Sequence, residues 1–346
     1  MSFLIRHLLE STFFCLLLSA FAACLRKSAT ARYAVLLMGV GKFAIPTVLL
    51  AKTGGEIAFL WPAASWLALA AYKISWALAA LLSLFPANFD LDVFAGWAFG
   101  TAAMLVIWLV RLHKSRFCLL PPSEREQAAL RRACALLSVP VRVRLRVTPG
   151  AMEPALVGIW RPTVVMPQGF SDRLTAAEFQ AVLLHELAHA RRFDNLSGVF
   201  AHALVCLFWF HPLLWLVERR LNVERERACD ETVIGCGMQP QIYAAGILKV
   251  CKFHLFETAA GVSGISGADL PGRLRSILDE RPQARLLYVP WLLLAGLAIF
   301  MTLVPIAGGY CQQCGSSGQG SPSNSRPVFR CKTAAACPQA TPRGMQ

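Results

Sequence analysis

The tightest constraint on this chain is the stretch 181–192, AVLLHELAHARR. It holds no Pro or Gly, and Leu, Ala and Arg are good helix formers. Phe179, Val182, Leu183, Leu187 and Ala190 add an apolar stripe at three- and four-residue spacing. On such a helix His185 and His189 stand one turn apart on one face, so both imidazoles can reach a single metal ion. Glu186, beside the first histidine, is placed to take a proton from a water in that ion's open position. This is the chemistry of HExxH on a helix, for which zinc is the usual metal. With only 7 histidines in 346 residues, two at this spacing seldom arise by accident.

A catalytic zinc needs a third protein ligand. The nearby carboxylates Glu218, Glu224, Glu226, Asp230 and Glu231 lie on a second helical run, 213–234. Helical geometry puts Glu226 and Asp230 on the face of Val223, Cys229, Val233 and Ile234, which reads as inward. Glu224 falls with Arg220, Arg227 and Glu231, and Glu218 with Asn222 and Arg225, on the side that reads as solvated. The expected ligand set is therefore His185, His189 and Glu226, with one Zn²⁺. Asp230 is expected to accept a hydrogen bond from a ligand histidine and fix its tautomer. The rival description of the whole run is a solvated Glu–Arg ion-pair lattice.

Between the two helices, residues 196–217 are apolar enough to pass for a membrane span. A single crossing would put Glu226 across the bilayer from His185. The run must cross zero times or twice, and His211-Pro212 is its natural break. Two helices lying against the membrane face are expected, with His202 and His211 satisfied in packing rather than binding metal.

Composition agrees with a membrane setting: hydrophobic residues make up 56% and charged residues 16%. Spans are expected at residues 8–25, 33–51, 94–112 and 286–306, with 57–85 interfacial or re-entrant. A cleaved leader is disfavoured, because the basic loop 26–32 runs straight into the next apolar stretch. Lys42 and Pro46 in that stretch call for packing against protein or water. The basic segments 26–32 and 111–116 place their ends in the cytoplasm. The net charge of +14 then reflects loops beside anionic lipid and calls for no direct nucleic-acid contact.

Residues 113–285 read as an inserted cytoplasmic domain. Helices are expected at 124–137 and 240–256, and strands at 141–147, 156–159 and 163–166, the arginines of the first strand facing solvent. Ser123 and Thr175, the latter with Glu178 three residues on, signal helix starts. Leu156, Val157 and Gly158 are the candidate edge for pairing with an extended substrate. The tail, 307–346, is Gly/Ser/Pro-rich and carries Cys311, Cys314, Cys331 and Cys337, read as disulfide-prone outside the cell. The fold class is thus a multi-pass α-helical membrane protein with an inserted α+β, zincin-like (gluzincin) metalloprotease domain.

Several of these motifs occur together in one known family. His185-Glu186-x-x-His189, Arg-Arg-x-Asp194, Trp209-Phe210-His211-Pro212 and Arg225-Glu226-x-x-Cys229-Asp230 resemble the BlaR/MecR-type integral-membrane zinc metallopeptidases. So do Leu156-Val157-Gly158-Ile159-Trp160-Arg161-Pro162 and Val164-Val165-Met166-Pro167, and the likeness covers roughly residues 1–305. The resemblance implies zinc on His185, His189 and Glu226, with Glu186 as general base. It also implies a bacterial inner-membrane setting and cleavage of a transcriptional repressor, of the chain itself, or both, with Arg-rich 273–285 as the candidate self-cleavage region. The antibiotic sensors of the family carry a penicillin-binding domain after the last membrane helix. This chain ends about forty residues past that point, so β-lactam sensing does not carry over. A second copy of the chain and a separate extracytoplasmic sensor stay open as partners. The alternative to an enzyme is a zinc-braced, non-catalytic signalling scaffold or sensor subunit.

Overall fold

The computed structural model describes residues 2–25, 28–45, 91–114, 119–149, 152–257 and 269–279. The expectations for 57–85, for 46–51 of the second span, and for 286–346 lie outside those residues.

Two long apolar helices frame the N-terminal region: α1, Ser2–Cys24, and, after a shorter α2, Ala29–Gly41, the helix α3, Leu91–Lys114. Within them His7–Cys24 and Asp92–Leu112 are long and apolar enough to cross a membrane. Among the described residues none of the Asp92–Leu112 stretch is fully buried, and Phe94, Phe99, Val106 and Leu109 are exposed. Next come α4, Glu124–Leu137, and three short strands, β1 Arg144–Thr148, β2 Ala155–Val157 and β3 Thr163–Pro167. The remaining helices are α5 Ala176–Arg191, α6 Asp194–Leu207, α7 Pro212–Gly235, α8 Pro240–Glu257 and α9 Leu270–Leu278.

Local chemistry sets most of these boundaries. Complete capping boxes start α4 (Ser123 with Glu126) and α5 (Thr175 with Glu178). The apolar run after α5 breaks at 208–211, and Pro212 opens α7 at the position where a missing N–H costs nothing. Beside that break the Trp209 indole packs on Gly100 of α3 so closely that a β-carbon there would collide with it. The sheet order is β1-β3-β2, with β1 parallel and β2 antiparallel to β3. Residues 141–143 fall short of the expected strand because β3 offers partners only from Arg144 onward. In β1 Leu145 and Val147 are buried while Arg144 is exposed, so the arginine face is the wetter one. Gly158, at φ +88°, ends β2 in a backbone conformation that residues with a side chain rarely adopt.

Two hydrophobic cores result. One joins α4, the sheet, α5, α8 and α9 around Leu137, Met166, Phe170, Leu183 and Leu187. The other joins α1, α2, α6 and the start of α7 around Leu18, Val35, Val205, Leu214 and Leu221. Helix α7 runs through both, with Leu214, Val217 and Leu221 in the second and Val233 in the first.

That path overturns one sequence expectation. Glu224, read as solvated, is fully buried: Arg32 Nε lies 2.7 Å from its Oε2, and Arg220 and Arg227 lie 3.0 and 3.5 Å from its Oε1. Glu231 accepts hydrogen bonds from the backbone N–H groups of Ala29 (2.5 Å) and Thr30 (3.2 Å) and from the Thr30 hydroxyl (3.1 Å). Glu218 pairs with His202 Nδ1 at 2.7 Å. The cause is a second buried face on α7, packed against α2, which a one-sided amphipathic reading leaves out. His202 and His211 do have packing partners, the latter Thr12 Oγ1 at 2.8 Å.

Candidate metal centre

Helix α5 brings His185 and His189 to one face, with ring centroids 5.0 Å apart and planes perpendicular. Helix α7 delivers Glu226 against both: its Oε2 is 3.3 Å from His185 Nε2 and its Oε1 3.8 Å from His189 Nε2. These donors line a cavity of about 260 Å³ that also includes Glu186, Leu156 and Asn195.

The far nitrogen of each imidazole is held from behind. Asp194, the first residue of α6, accepts from His189 Nδ1 at 2.7 Å. The Tyr243 hydroxyl of α8 lies 2.8 Å from His185 Nδ1 and donates to Asp230 Oδ1 at 2.6 Å. Because its single proton goes to the acceptor-only carboxylate, the phenolic oxygen must accept from Nδ1–H. With each Nδ1 committed as a donor, it is Nε2 that both rings turn toward Glu226 and can offer to an ion once it is deprotonated, the donor arrangement a tetrahedral zinc takes. The chemistry of the donor set thus fits the ion.

Asp230 acts less directly than expected. Its oxygen is 3.5 Å from His185 Nδ1, and the Tyr243 hydroxyl makes the short bonds to both. Arg273 of α9 grips Asp230 with Nε and Nη2 at 2.9 and 2.8 Å and approaches Glu226 Oε2 at 3.5 Å. Arg273 therefore belongs to the centre, on a buried helix face, and a cut beside it would first require α9 to leave.

Cys229 is the other candidate donor, since its Sγ, His185 and His189 cluster within 4.8 Å. It sits behind His189, 3.3 Å from Nδ1, the nitrogen that Asp194 already engages. Glu226 faces the Nε2 side and is the better third ligand.

The electrostatics of the metal-free centre follow from burial set against pairing. Burial alone would raise Glu226, but hydrogen bonding to His185 and the charges of both histidines and Arg273 hold it well below the usual carboxylate range. Burial would lower His185, yet Asp230 and Glu226 carry it up to about 9. Glu186 goes the other way: desolvation pushes its carboxyl up, with the two histidines only partly opposing. A carboxylate raised by burial is a stronger base than a solvated one.

The candidate substrate edge is partly occupied. The carbonyls of Leu156 in β2 and of Gly158 just after it both accept from Asn195 Nδ2, at 3.0 and 2.9 Å. The Leu156 N–H is directed at Glu186. A substrate strand pairing here has to displace the Asn195 amide.

Residues 4–266 match the family of the BlaR1 peptidase, Peptidase_M56. The chain belongs to this metallopeptidase family. A regulatory protein BlaR1 from Bacillus licheniformis is 32% identical over 149 residues, 42% of this chain and 25% of that protein. The methicillin resistance protein MecR1 from Staphylococcus aureus is 25% identical over 82 residues, 24% of this chain and 14% of that one, and a Staphylococcus epidermidis MecR1 matches to the same extent. The aligned part thus spans a quarter or less of these relatives' length.

Sequence reasoning named His185, Glu186, His189, Glu226 and Asp230; the fold brings the first four to one cavity wall and buries Asp230 behind His185. It gave no role to Tyr243, read Arg273 only as the start of a candidate self-cleavage region, and met Arg192 and Asp194 only as parts of one motif. A Glu or Asp a few residues past an HExxH helix is the one local signal that could have marked Asp194. Nothing local marks Tyr243.

Proposed function

We propose that this chain is a membrane-embedded zinc endopeptidase of the gluzincin type. In this reading it has several membrane spans, an inserted cytoplasmic peptidase domain over 113–285 and an extracytoplasmic tail. Its substrate is a cytoplasmic transcriptional repressor, the chain itself, or both, as a step in regulatory signalling. The observation that carries the reading is the convergence of His185 Nε2, His189 Nε2 and the Glu226 carboxylate beside a buried Glu186 in one cavity. Membership of a metallopeptidase family and relatives named as regulatory proteins support it.

His185, His189 and Glu226 hold the ion, which when bound supplies Lewis-acid polarisation and a more acidic water. Glu186 takes the proton of the attacking water and later hands it to the leaving amine. Leu156, Val157 and Gly158 hold the substrate backbone once Asn195 swings aside. Tyr243, Asp230 and Asp194 keep the imidazoles aimed. A purely bracing zinc site has no use for Glu186, whose burial is otherwise a cost.

The test compares wild type with Glu186→Gln in membranes, measuring zinc per chain and cleavage of a repressor encoded nearby. Glu186→Gln is expected to keep about one zinc while cleavage falls about 10²–10⁴-fold. Chelation should abolish cleavage in wild type, and added zinc should restore it. Zinc bound by a wild-type chain that cuts neither repressor nor itself would instead favour the scaffold.

A further inference from the structure

We infer that Tyr33, at the start of α2, is a positioning residue of the metal centre and acts on His189 through Asp194. The inference rests on the zinc reading above. Tyr33 is buried, on a helix that belongs to the other hydrophobic core. Two separate lines of contact lead from it to the same aspartate.

The first runs through the ring. The Arg192 guanidinium lies over the Tyr33 face, 5.3 Å from the centroid. Arg192 holds Asp194 with both Nη2 (2.5 Å to Oδ2) and Nε (3.3 Å to Oδ1), and Nη2 also donates to the Arg225 carbonyl at 2.9 Å. Nη1 is buried with no hydrogen-bond acceptor among the described residues, so the aromatic face adds to Asp194 as an electrostatic partner of the guanidinium. The second line runs through the hydroxyl. Tyr33 Oη is 2.5 Å from Ser197 Oγ, and Ser197 Oγ donates to the Asp194 carbonyl at 3.1 Å, so the Tyr33 proton points to the serine. One side chain thus braces both the carboxylate and the backbone of the residue that holds His189 Nδ1 at 2.7 Å.

Tyr33 is itself fixed by its neighbours on α2. Glu231 takes the free N–H groups of Ala29 and Thr30, and Glu224 takes Arg32. Both carboxylates come from α7, the helix that also supplies Glu226 and Asp230. A shift of the first turn of α2 relative to α7 therefore moves the support of one candidate ligand against the element carrying another. The metal centre is built across the junction between the N-terminal helices and the peptidase core, rather than within the core alone.

The test is zinc affinity of the detergent-solubilised full chain, measured by competition with a chromogenic chelator. Tyr33→Leu removes ring and hydroxyl and is expected to weaken zinc about tenfold or more, as loss of outer support around a metal does. Tyr33→Phe keeps the ring and should lose only about threefold, the scale of one hydrogen bond. Arg192→Lys keeps the charge but not the fork and should cost as much as loss of the ring, and adding Tyr33→Leu should lower affinity further only by the roughly threefold of the hydroxyl line, because ring and guanidinium act in series. Wild-type affinity in Tyr33→Leu, or effects of the two changes that multiply in full, overturns the inference. Should Tyr33→Leu fail to fold, Tyr33→Phe and Ser197→Ala decide it: each should lose about threefold and their combination no more, and unchanged affinity in both overturns it. A wild-type chain that binds no zinc overturns the reading beneath it instead.

Discussion

At the scale of single residues, the geometry of His185 depends on a phenol as much as on a carboxylate. Asp230 stands 3.5 Å from Nδ1, and Tyr243 closes the gap with bonds of 2.8 and 2.6 Å. Tyr243→Phe conserves the packing of a fully buried ring and deletes that bridge alone. Zinc affinity is expected to fall about tenfold with little change in melting temperature, read by chelator competition and a thermal scan. Unchanged affinity would mean that Asp230 suffices without the bridge. His185, Glu186 and His189 were legible because a four-residue spacing fixes a shared face whatever the helix packs against. Glu226 was legible by the same geometry one helix later. Tyr243 and Arg273 were not, since their approach depends on how α8 and α9 pack on α5 and α7, which no periodicity within either helix encodes.

At the scale of elements, the helix bearing both histidines is held at its N-terminus by a reciprocal cap and a cross-helix ion pair. Thr175 Oγ1 accepts from the Glu178 N–H, Glu178 Oε2 accepts from the Thr175 N–H, and Lys249 of α8 reaches the same oxygen at 2.7 Å. Burial would raise the Glu178 carboxyl, but Lys249 and Thr175 more than offset it and leave it lowered. A depressed folded value means the contribution to stability is complete above the unfolded value of about 4.3 and fades as pH falls through the folded one. Glu178→Gln should cost about 1 kcal/mol near neutral pH, with Lys249, half exposed, adding little. The same variant should flatten the acid limb of the melting curve below about pH 4.3. An acid limb as steep as that of wild type would assign the lability elsewhere. The Thr175–Glu178 box and the Ser123 helix start could be read directly, because N-capping is local chemistry. The strand ends could not: β1 starts at Arg144 and not at Val141 because β3 begins at its partner Thr163.

At the scale of the whole molecule, α7 carries carboxylates both to the metal centre and to the N-terminal helices. Glu226 and Asp230 go to the metal centre, while Glu224 and Glu231 go to α2. The sequence pattern of alternating Glu and Arg looked solvated because Arg32, which buries Glu224, lies almost two hundred residues upstream. A buried carboxylate among three guanidiniums is costly to neutralise, since the cations lose their counter-charge without regaining water. Glu224→Gln is therefore expected to destabilise the chain by about 3 kcal/mol, seen as earlier melting and faster proteolysis of solubilised protein. Arg220 is half exposed and Arg227 also pairs with Asp269 at 2.5 Å, while Arg32 holds Glu224 Oε2 at 2.7 Å and the Leu25 carbonyl at 2.9 Å. Arg32→Gln and Glu224→Gln remove the two halves of one pair, so their costs should be less than additive in a double-mutant cycle. Zinc affinity in Glu224→Gln should fall with stability if the α2–α7 junction supports the centre. A chain that melts early yet keeps wild-type zinc affinity would confine Glu224 to holding the helices together and leave the metal centre to the core.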